Sequence, residues 1–170
     1  MGGSVLLTAF FTLFLVIGLA ILGFGLRSLH LSNEASSWPT IPGRIISSDF
    51  DVNSDSDGTT YRARVKYVYT PMNAELTGER IAFGYSGSSG EKFHRAIHDA
   101  LPVGAQVAVR YDMANPEQSV LSFGANRSIM FLLLFGAVWT TFTVGMAAMF
   151  WFSERGGNKI LENMIVYSSG

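Results

Sequence analysis

The sequence contains no cysteine. That excludes disulfide staples, thiolate zinc sites and a cysteine nucleophile. Neither sign of charge is in excess, since 12 Lys and Arg stand against 13 Asp and Glu, so the chain lacks the basic footprint of a nucleic-acid binder. Charge of any kind is scarce. Only 15% of residues are Asp, Glu, Lys or Arg, where an ordinary soluble domain carries roughly 25%. Disorder is excluded as well, because 48% hydrophobic residues and a net charge of −1 describe a chain that must bury apolar surface. The length of 170 residues suits one domain of usual size.

The shortage of charge is confined to the two ends. Met1–Leu26 and Ser128–Ser153 carry no ionisable side chain, and each run is 26 residues long. About 20 apolar residues suffice to cross ~30 Å of hydrocarbon. Val5–Leu26 holds fifteen Leu, Ile, Val or Phe, worth about −6 kcal/mol of insertion free energy at roughly −0.4 each. Ile129–Phe152 holds eleven, plus Met130, Met146 and Met149. A core helix of a soluble protein rarely needs such a run. The first stretch also lacks the basic n-region and Ala-x-Ala site of a cleaved signal, so it reads as a retained anchor. The expected organisation is therefore a transmembrane helix at 1–27, an extramembrane domain at 28–127, a second transmembrane helix at 128–153 and a short tail at 154–170.

Ten of the twelve cations and eleven of the thirteen anions fall within Arg27–Arg127, so this middle segment faces water. Neither span holds a charge, which argues against a transporter or channel. Ala137, Thr141 and Gly145 recur at i, i+4 and i+8 on the second span, and Gly18 and Gly25 lie one heptad apart on the first. Small residues on one stripe let helices approach closely in lipid. The stripe serves either to pack the two spans together or to dock a membrane-protein partner or a second copy. Trp151 stands where an interface aromatic belongs, whereas nothing in the sequence explains Trp139 at mid-span. In the tail, Ile160, Leu161, Met164, Ile165 and Val166 offer a brief amphipathic segment, against which stands the simpler expectation of a frayed terminus. Two spans put both termini on one side. Because a long loop largely escapes the positive-inside rule, Arg155 and Lys159 of the tail point to cytoplasmic termini and an extracytoplasmic domain.

Within the middle segment, Pro39 and Pro42 exclude helix before a strand at Arg44–Asp49. Tyr61–Tyr69 alternates, with Tyr61, Ala63, Val65, Tyr67 and Tyr69 on one face and Arg62, Arg64 and Lys66 on the other, as a half-buried strand does. Pro71–Ala74 is a turn, and Glu75–Phe83 is the returning strand. Gly84–Gly90 reads as a flexible loop. Glu91–Leu101 is a short helix whose apolar face is Phe93, Ala96, Ile97, Ala100 and Leu101. Pro102 and Gly104 end it. Val107, Val109 and Tyr111 alternate as a strand, Asp112–Pro116 turns, and Ser119–Phe123 is a last short strand. The fold class expected is α+β: a small antiparallel sheet with one short helix, inserted between two transmembrane helices.

Several of these pieces together carry a resemblance. Trp38-Pro39, Arg44-Ile45 after Gly43, the Tyr-rich strand Tyr61–Tyr69, the Pro102-x-Gly104 turn and above all Val109-Arg110-Tyr111-Asp112-x-x-Asn115-Pro116-x-x-Ser119-Val120-Leu121 resemble the bacterial domain-of-unknown-function 3592 family. The resemblance implies a β-rich domain between two spans in a bacterial plasma membrane. It brings no catalytic residues with it. Met113 stands where the family pattern usually has proline, which implies a looser turn here.

Two constellations invite chemistry. Asn53-x-Asp55-x-Asp57-Gly58, within the Asp-rich stretch Asp49–Gly58, matches the first half of a calcium loop. Position 1 is neutral Asn, however, and position 12, which should be a bidentate Glu, is Arg64. The stretch Asp51–Asp57 therefore reads as a solvated hairpin loop rich in turn formers. His94 and His98 share a helix face at i, i+4 and could hold zinc with a third ligand such as Glu91 or Asp99, but without the Glu of the metalloprotease pattern they read as packed or exposed histidines. The Arg62, Arg64 and Lys66 face pairs with Glu75 and Glu79 of the neighbouring strand, or attracts anionic lipid. No nucleophile motif is present, and no catalytic, cofactor or metal residue is assigned. The function expected is that of a non-enzymatic two-pass membrane protein whose domain binds a partner. A metal-dependent membrane-tethered enzyme or sensor built on His94/His98 or the Asp-rich loop is the alternative.

Overall fold

A computed structural model describes residues 2–162 of the chain. The backbone divides into two compact units, residues 1–23 with 132–170 and residues 24–131. Two long helices, α1 (Gly2–Glu34) and α3 (Arg127–Glu162), supply the first unit. Both are long and apolar enough, by length and composition, to cross a membrane. The backbone of Ile160 and Leu161 is helical, while Met164, Ile165 and Val166 lie outside the described residues.

In the helical unit, shielded positions recur every three or four residues. Phe11, Phe14, Leu15, Gly18, Ile21 and Leu22 of α1 are buried or half-buried, as are Gly136, Trp139, Thr140, Thr143, Met146 and Ala147 of α3. That spacing is the seam of an antiparallel helix pair. A Cβ on Gly18 would sit 2.6 Å from Thr140 Oγ1, and one on Gly136 would sit 2.9 Å from Leu22 Cγ. The two glycines therefore set how closely the backbones approach. Trp139, unexplained by sequence, stacks on Phe14 at 5.3 Å between ring centroids, and its indole N–H donates to the Phe14 carbonyl at 3.0 Å. The one polar atom of this side chain is thus satisfied by the opposite helix.

The second unit is a five-stranded antiparallel sheet. Its strands are β1 (Thr40–Asp55), β2 (Gly58–Tyr69), β3 (Leu76–Gly78), β4 (Gln106–Tyr111) and β5 (Ser119–Val120), in the order β3-β2-β1-β4-β5. One helix, α2 (Glu91–Asp99), packs on β1 and β2. The α+β layer architecture is the one expected. β1 begins before Arg44 and runs past Asp49. Pro42 is tolerated inside it because the β1–β2 ladder starts only at Gly43 opposite Tyr69, so no bond to β2 asks for its missing N–H. A bulge at Ile46 shifts the register between Ile45 and Ser47. Beyond it Ser48, Phe50 and Val52 lie opposite Val65, Ala63 and Tyr61 and so share their face. That parity change hides the strand from a period-two reading.

The returning strand is short. β3 ends at Gly78, after which the Ile81 carbonyl accepts the N–H groups of Leu121 and Ser122 in place of a ladder on β2. Ile81 and Phe83 are nonetheless buried. The main core is Ile45, Ala63, Val65, Tyr67, Tyr69, Ile81, Val109 and Tyr111, with Ile97 and Leu101 packed on it. A second cluster joins Ala35, Trp38, Phe83 and Val120. The buried face of α2 is rotated from the expected one. Ala96 and Ala100 are exposed, and His94 is fully buried.

Candidate functional site

A polar cluster in the β unit is built around His94, which has 0% exposure. Its Nδ1 lies 2.7 Å from the Tyr85 hydroxyl and its Nε2 lies 2.8 Å from Ser88 Oγ. The Ala63 N–H donates to that same hydroxyl at 3.1 Å. With one ring proton the neutral imidazole accepts from one hydroxyl and donates to the other: where Tyr85 donates to Nδ1, Nε2 donates to Ser88, and in the other tautomer both bonds reverse. Burial holds the His94 pKa below its ordinary value, and the Arg62 guanidinium adds to the depression. Burial pushes the Tyr85 hydroxyl up, partly offset by the Ala63 N–H and Arg62. Ser88 is also held by its backbone, exchanging two hydrogen bonds with Tyr61 at 2.8 and 3.1 Å. The segment expected as a flexible Ser/Gly loop is therefore strapped to the edge of β2.

Its other end is tied to the start of α3. Gly84 adopts φ +66°, and a Cβ there would meet Ile129 Cγ1 at 2.7 Å and Ser28 Cβ at 3.2 Å. Asn126 donates from Nδ2 to the Phe83 carbonyl at 2.7 Å and accepts the Ile129 N–H at Oδ1 at 3.1 Å. It thus caps α3 and holds the strap with one side chain. Ser32 reinforces the junction, donating its hydroxyl to the Gly124 carbonyl at 2.8 Å.

His94 and His98 are not brought together on a common point. His98 turns toward Asp99 Oδ1, 3.2 Å away, and packs edge-on against Phe50. Among the described residues no group of three or more His, Asp or Glu is placed to hold a metal ion. The Asp-rich stretch is the arm of a two-residue hairpin. Asn53 and Asp55 lie on β1 and pair with Thr60 and Gly58, so extended backbone spreads their oxygens instead of wrapping them round one centre. Asp55 Oδ1 accepts the Asp57 N–H at 3.0 Å, as an Asp that opens a turn does. On the solvent face Lys66 pairs with Glu79 at 2.9 Å, and Arg64 pairs with Asp51 across the β1–β2 ladder. The hydrogen bond from Lys66 lowers the Glu79 pKa, and the reciprocal bond raises that of Lys66.

Ala137, Thr141 and Gly145 do not form the helix seam. All three are exposed, and a Cβ on Gly145 would meet nothing within 4 Å. The seam of α3 runs one residue away, through Gly136, Thr140 and Thr143, and 100° of helical rotation separates neighbouring residues.

The residues that carry the family-like pattern have architectural duties. The Tyr67 hydroxyl donates to the Arg80 carbonyl at 3.0 Å and meets Ser119 Oγ at 3.1 Å, and burial pushes its pKa up to about 12. The Tyr69 hydroxyl donates to the Pro116 carbonyl at 2.7 Å. Asp112 Oδ1 accepts the Ala114 N–H at 2.8 Å, and the Asp112 N–H donates to the Gln118 carbonyl at 2.9 Å. The Tyr-Asp…Asn-Pro…Ser-Val segment therefore locks the β4–β5 turn to the Tyr-rich strand. Tyr85, Ser88 and Asn126 were not singled out by sequence, although an Asn just before an apolar run is a recognisable cap signal.

No curated protein and no solved structure matches the chain. Residues 41–126 match the family described as "Domain of unknown function (DUF3592)". That match spans the sheet, α2, the strap and the β4–β5 turn, and covers half of the sequence: this chain belongs to the DUF3592 family.

Proposed function

We propose that the chain is a two-pass integral membrane protein, spanning at 1–27 and 128–153, whose domain at 28–127 is a non-enzymatic partner-binding or accessory-subunit module. The outward surface of the helical unit carries the first half of this reading. Leu6 is 73% exposed, Leu134 68% and Phe152 70%, with Leu13, Val138 and Phe142 similarly exposed. A water-soluble particle does not present so continuous an apolar surface, whereas hydrocarbon surrounds it at no cost. The second half draws on the state of Ser88. Its Oγ accepts the Gly90 N–H at 3.3 Å and its backbone is paired with Tyr61, so its contact with His94 supports the reading of a tie that holds a segment.

The outward Ala137, Thr141 and Gly145 stripe is the face offered to a membrane-protein partner or a second copy. The compartment is the bacterial plasma membrane, with the domain outside and both termini within.

Mild carbonate extraction of membranes tests the spans: the full-length chain should stay in the pellet and need detergent to leave it. Release as a discrete soluble particle would end the proposal. A fluorophosphonate probe tests the non-enzymatic reading, with labelling at Ser88 as the contrary result. Because the chain has no cysteine, a single Ser56→Cys at the hairpin tip tests orientation. An impermeant maleimide should reach it in intact cells.

A further inference from the structure

The strap from Phe83 to Gly90 joins two parts of the β unit. One end is fixed at the start of α3 by Asn126 and by Gly84 lodged against Ile129 and Ser28. The other is fixed to β2 by Tyr85 at Ala63 and by Ser88 at Tyr61. Between the β2 anchors stands His94, bonded at both ring nitrogens, to Tyr85 and to Ser88. An imidazolium has two donors and no acceptor. In the tautomer in which Tyr85 donates to Nδ1, uptake of a proton there leaves no lone pair to accept from Tyr85, whose oxygen already receives the Ala63 N–H. The Tyr85 hydroxyl must then turn its proton elsewhere or leave.

We propose that this strap is an acid-released clamp: protonation of His94 breaks its bond with Tyr85 and loosens the strap from β2, while the end at Asn126 stays attached to α3. The reading is independent of whether the domain binds a partner. The neighbouring charges favour release on protonation. Arg62 of β2 is the charged group that acts on His94 through space, and its sign repels an imidazolium. On α2 itself, Glu91 is engaged by Arg95 at 2.6 Å and His98 faces Asp99, so neither carboxylate is committed to His94. From α3, Arg127 lies over the Phe93 ring at 5.7 Å, and that ring meets the His94 ring edge-on at 5.1 Å between centroids. Tyr85 meets Nδ1 directly, and burial raises its pKa, so it stays neutral throughout the acid range.

The sign follows from linkage. The folded pKa lies below the unfolded value of 6.5, so the clamp is fully closed above pH 6.5 and weakens as pH falls from there toward the folded pKa. In that window one proton gives up to about tenfold more opening per pH unit.

The experiment is amide hydrogen exchange on the full-length chain in detergent micelles between pH 7.5 and 4.5, corrected for the intrinsic rate. Opening at the Tyr61, Ala63 and Ser88 amides should rise with acid, while the Ile45 and Tyr111 amides, bonded in the sheet, hold steady. His94→Gln should abolish the slope. Tyr85→Phe, which keeps the ring and removes the acceptor conflict, should flatten it at Ser88 even if the glutamine variant fails to fold. Equal protection at both pH values, a change shared by all five amides, or an unchanged slope in either variant would overturn the proposal. So would a His94 ring resonance that titrates at or above 6.5.

Discussion

Asn126→Ala is the most informative single change in the β unit, because one side chain performs two separate tasks. Its Oδ1 caps α3 through the Ile129 N–H at 3.1 Å, and its Nδ2 satisfies the Phe83 carbonyl at 2.7 Å. Loss of an Asn cap costs about 1 kcal/mol. The Phe83 carbonyl belongs to a residue that is only 5% exposed, so leaving it without a donor adds about 1–3 kcal/mol. Together the alanine variant should lose about 2–4 kcal/mol, measured as the shift in urea midpoint at constant slope on the full-length chain in micelles. Asn126→Ser keeps the cap and drops the carbonyl bond, and should recover about 1 kcal/mol of that loss. A change under about 0.5 kcal/mol for the alanine variant, the range of an ordinary surface substitution, would refute the account of the junction. So would equal losses for alanine and serine, because they would show that the cap contributes nothing.

Other expectations follow from the same geometry. Gly136→Leu forces atoms into the Leu22 side chain and backbone and should destabilise the helix pair by about 1–3 kcal/mol; loss of the Trp139–Phe14 contact, read from tryptophan fluorescence, checks it. Tyr67 is neutral in the fold with a pKa of about 12 against 10.0 when free. Its contribution is thus intact below pH 10 and is lost as pH rises from 10 toward 12, by about 2–3 kcal/mol. Alkaline unfolding should show that slope, and Tyr67→Phe should lack it. Met113 is exposed and follows Asp112, whose carboxylate already closes a turn onto Ala114. Met113→Pro, the residue usual in the family pattern, should raise stability by about 0.4–1 kcal/mol, and a lowered thermal midpoint would show that the turn does not take proline's φ.

Much of the β unit was legible because its signals are local. The alternation of Tyr61–Tyr69, the prolines at 39, 42 and 102 and the apolar ends each act within a few residues. β1 is longer than its pattern indicates, since the bulge at Ile46 reverses which side chains face the core and destroys the period-two pattern across it. The returning strand is shorter than its pattern indicates, since Ile81 and Phe83 are apolar and buried while the Ile81 carbonyl bonds to residues 121 and 122. Hydrophobicity reports burial, and it does not report which backbone supplies the partner.

The sequence by itself determined two uncharged helices, an antiparallel sheet with one helix between them and the family pattern, because each rests on periodicity and composition that a short window contains. Only the tertiary structure decided which stripe of α3 meets α1, that Trp139 donates to a backbone carbonyl on the other helix, and that His94 is buried between Tyr85 and Ser88 while His98 turns toward Asp99. Those outcomes depend on rotations of about 100° per residue and on contacts between residues far apart in sequence. One residue's difference in phase turns Gly136 inward and Ala137 outward, and no local count of residue types carries that phase.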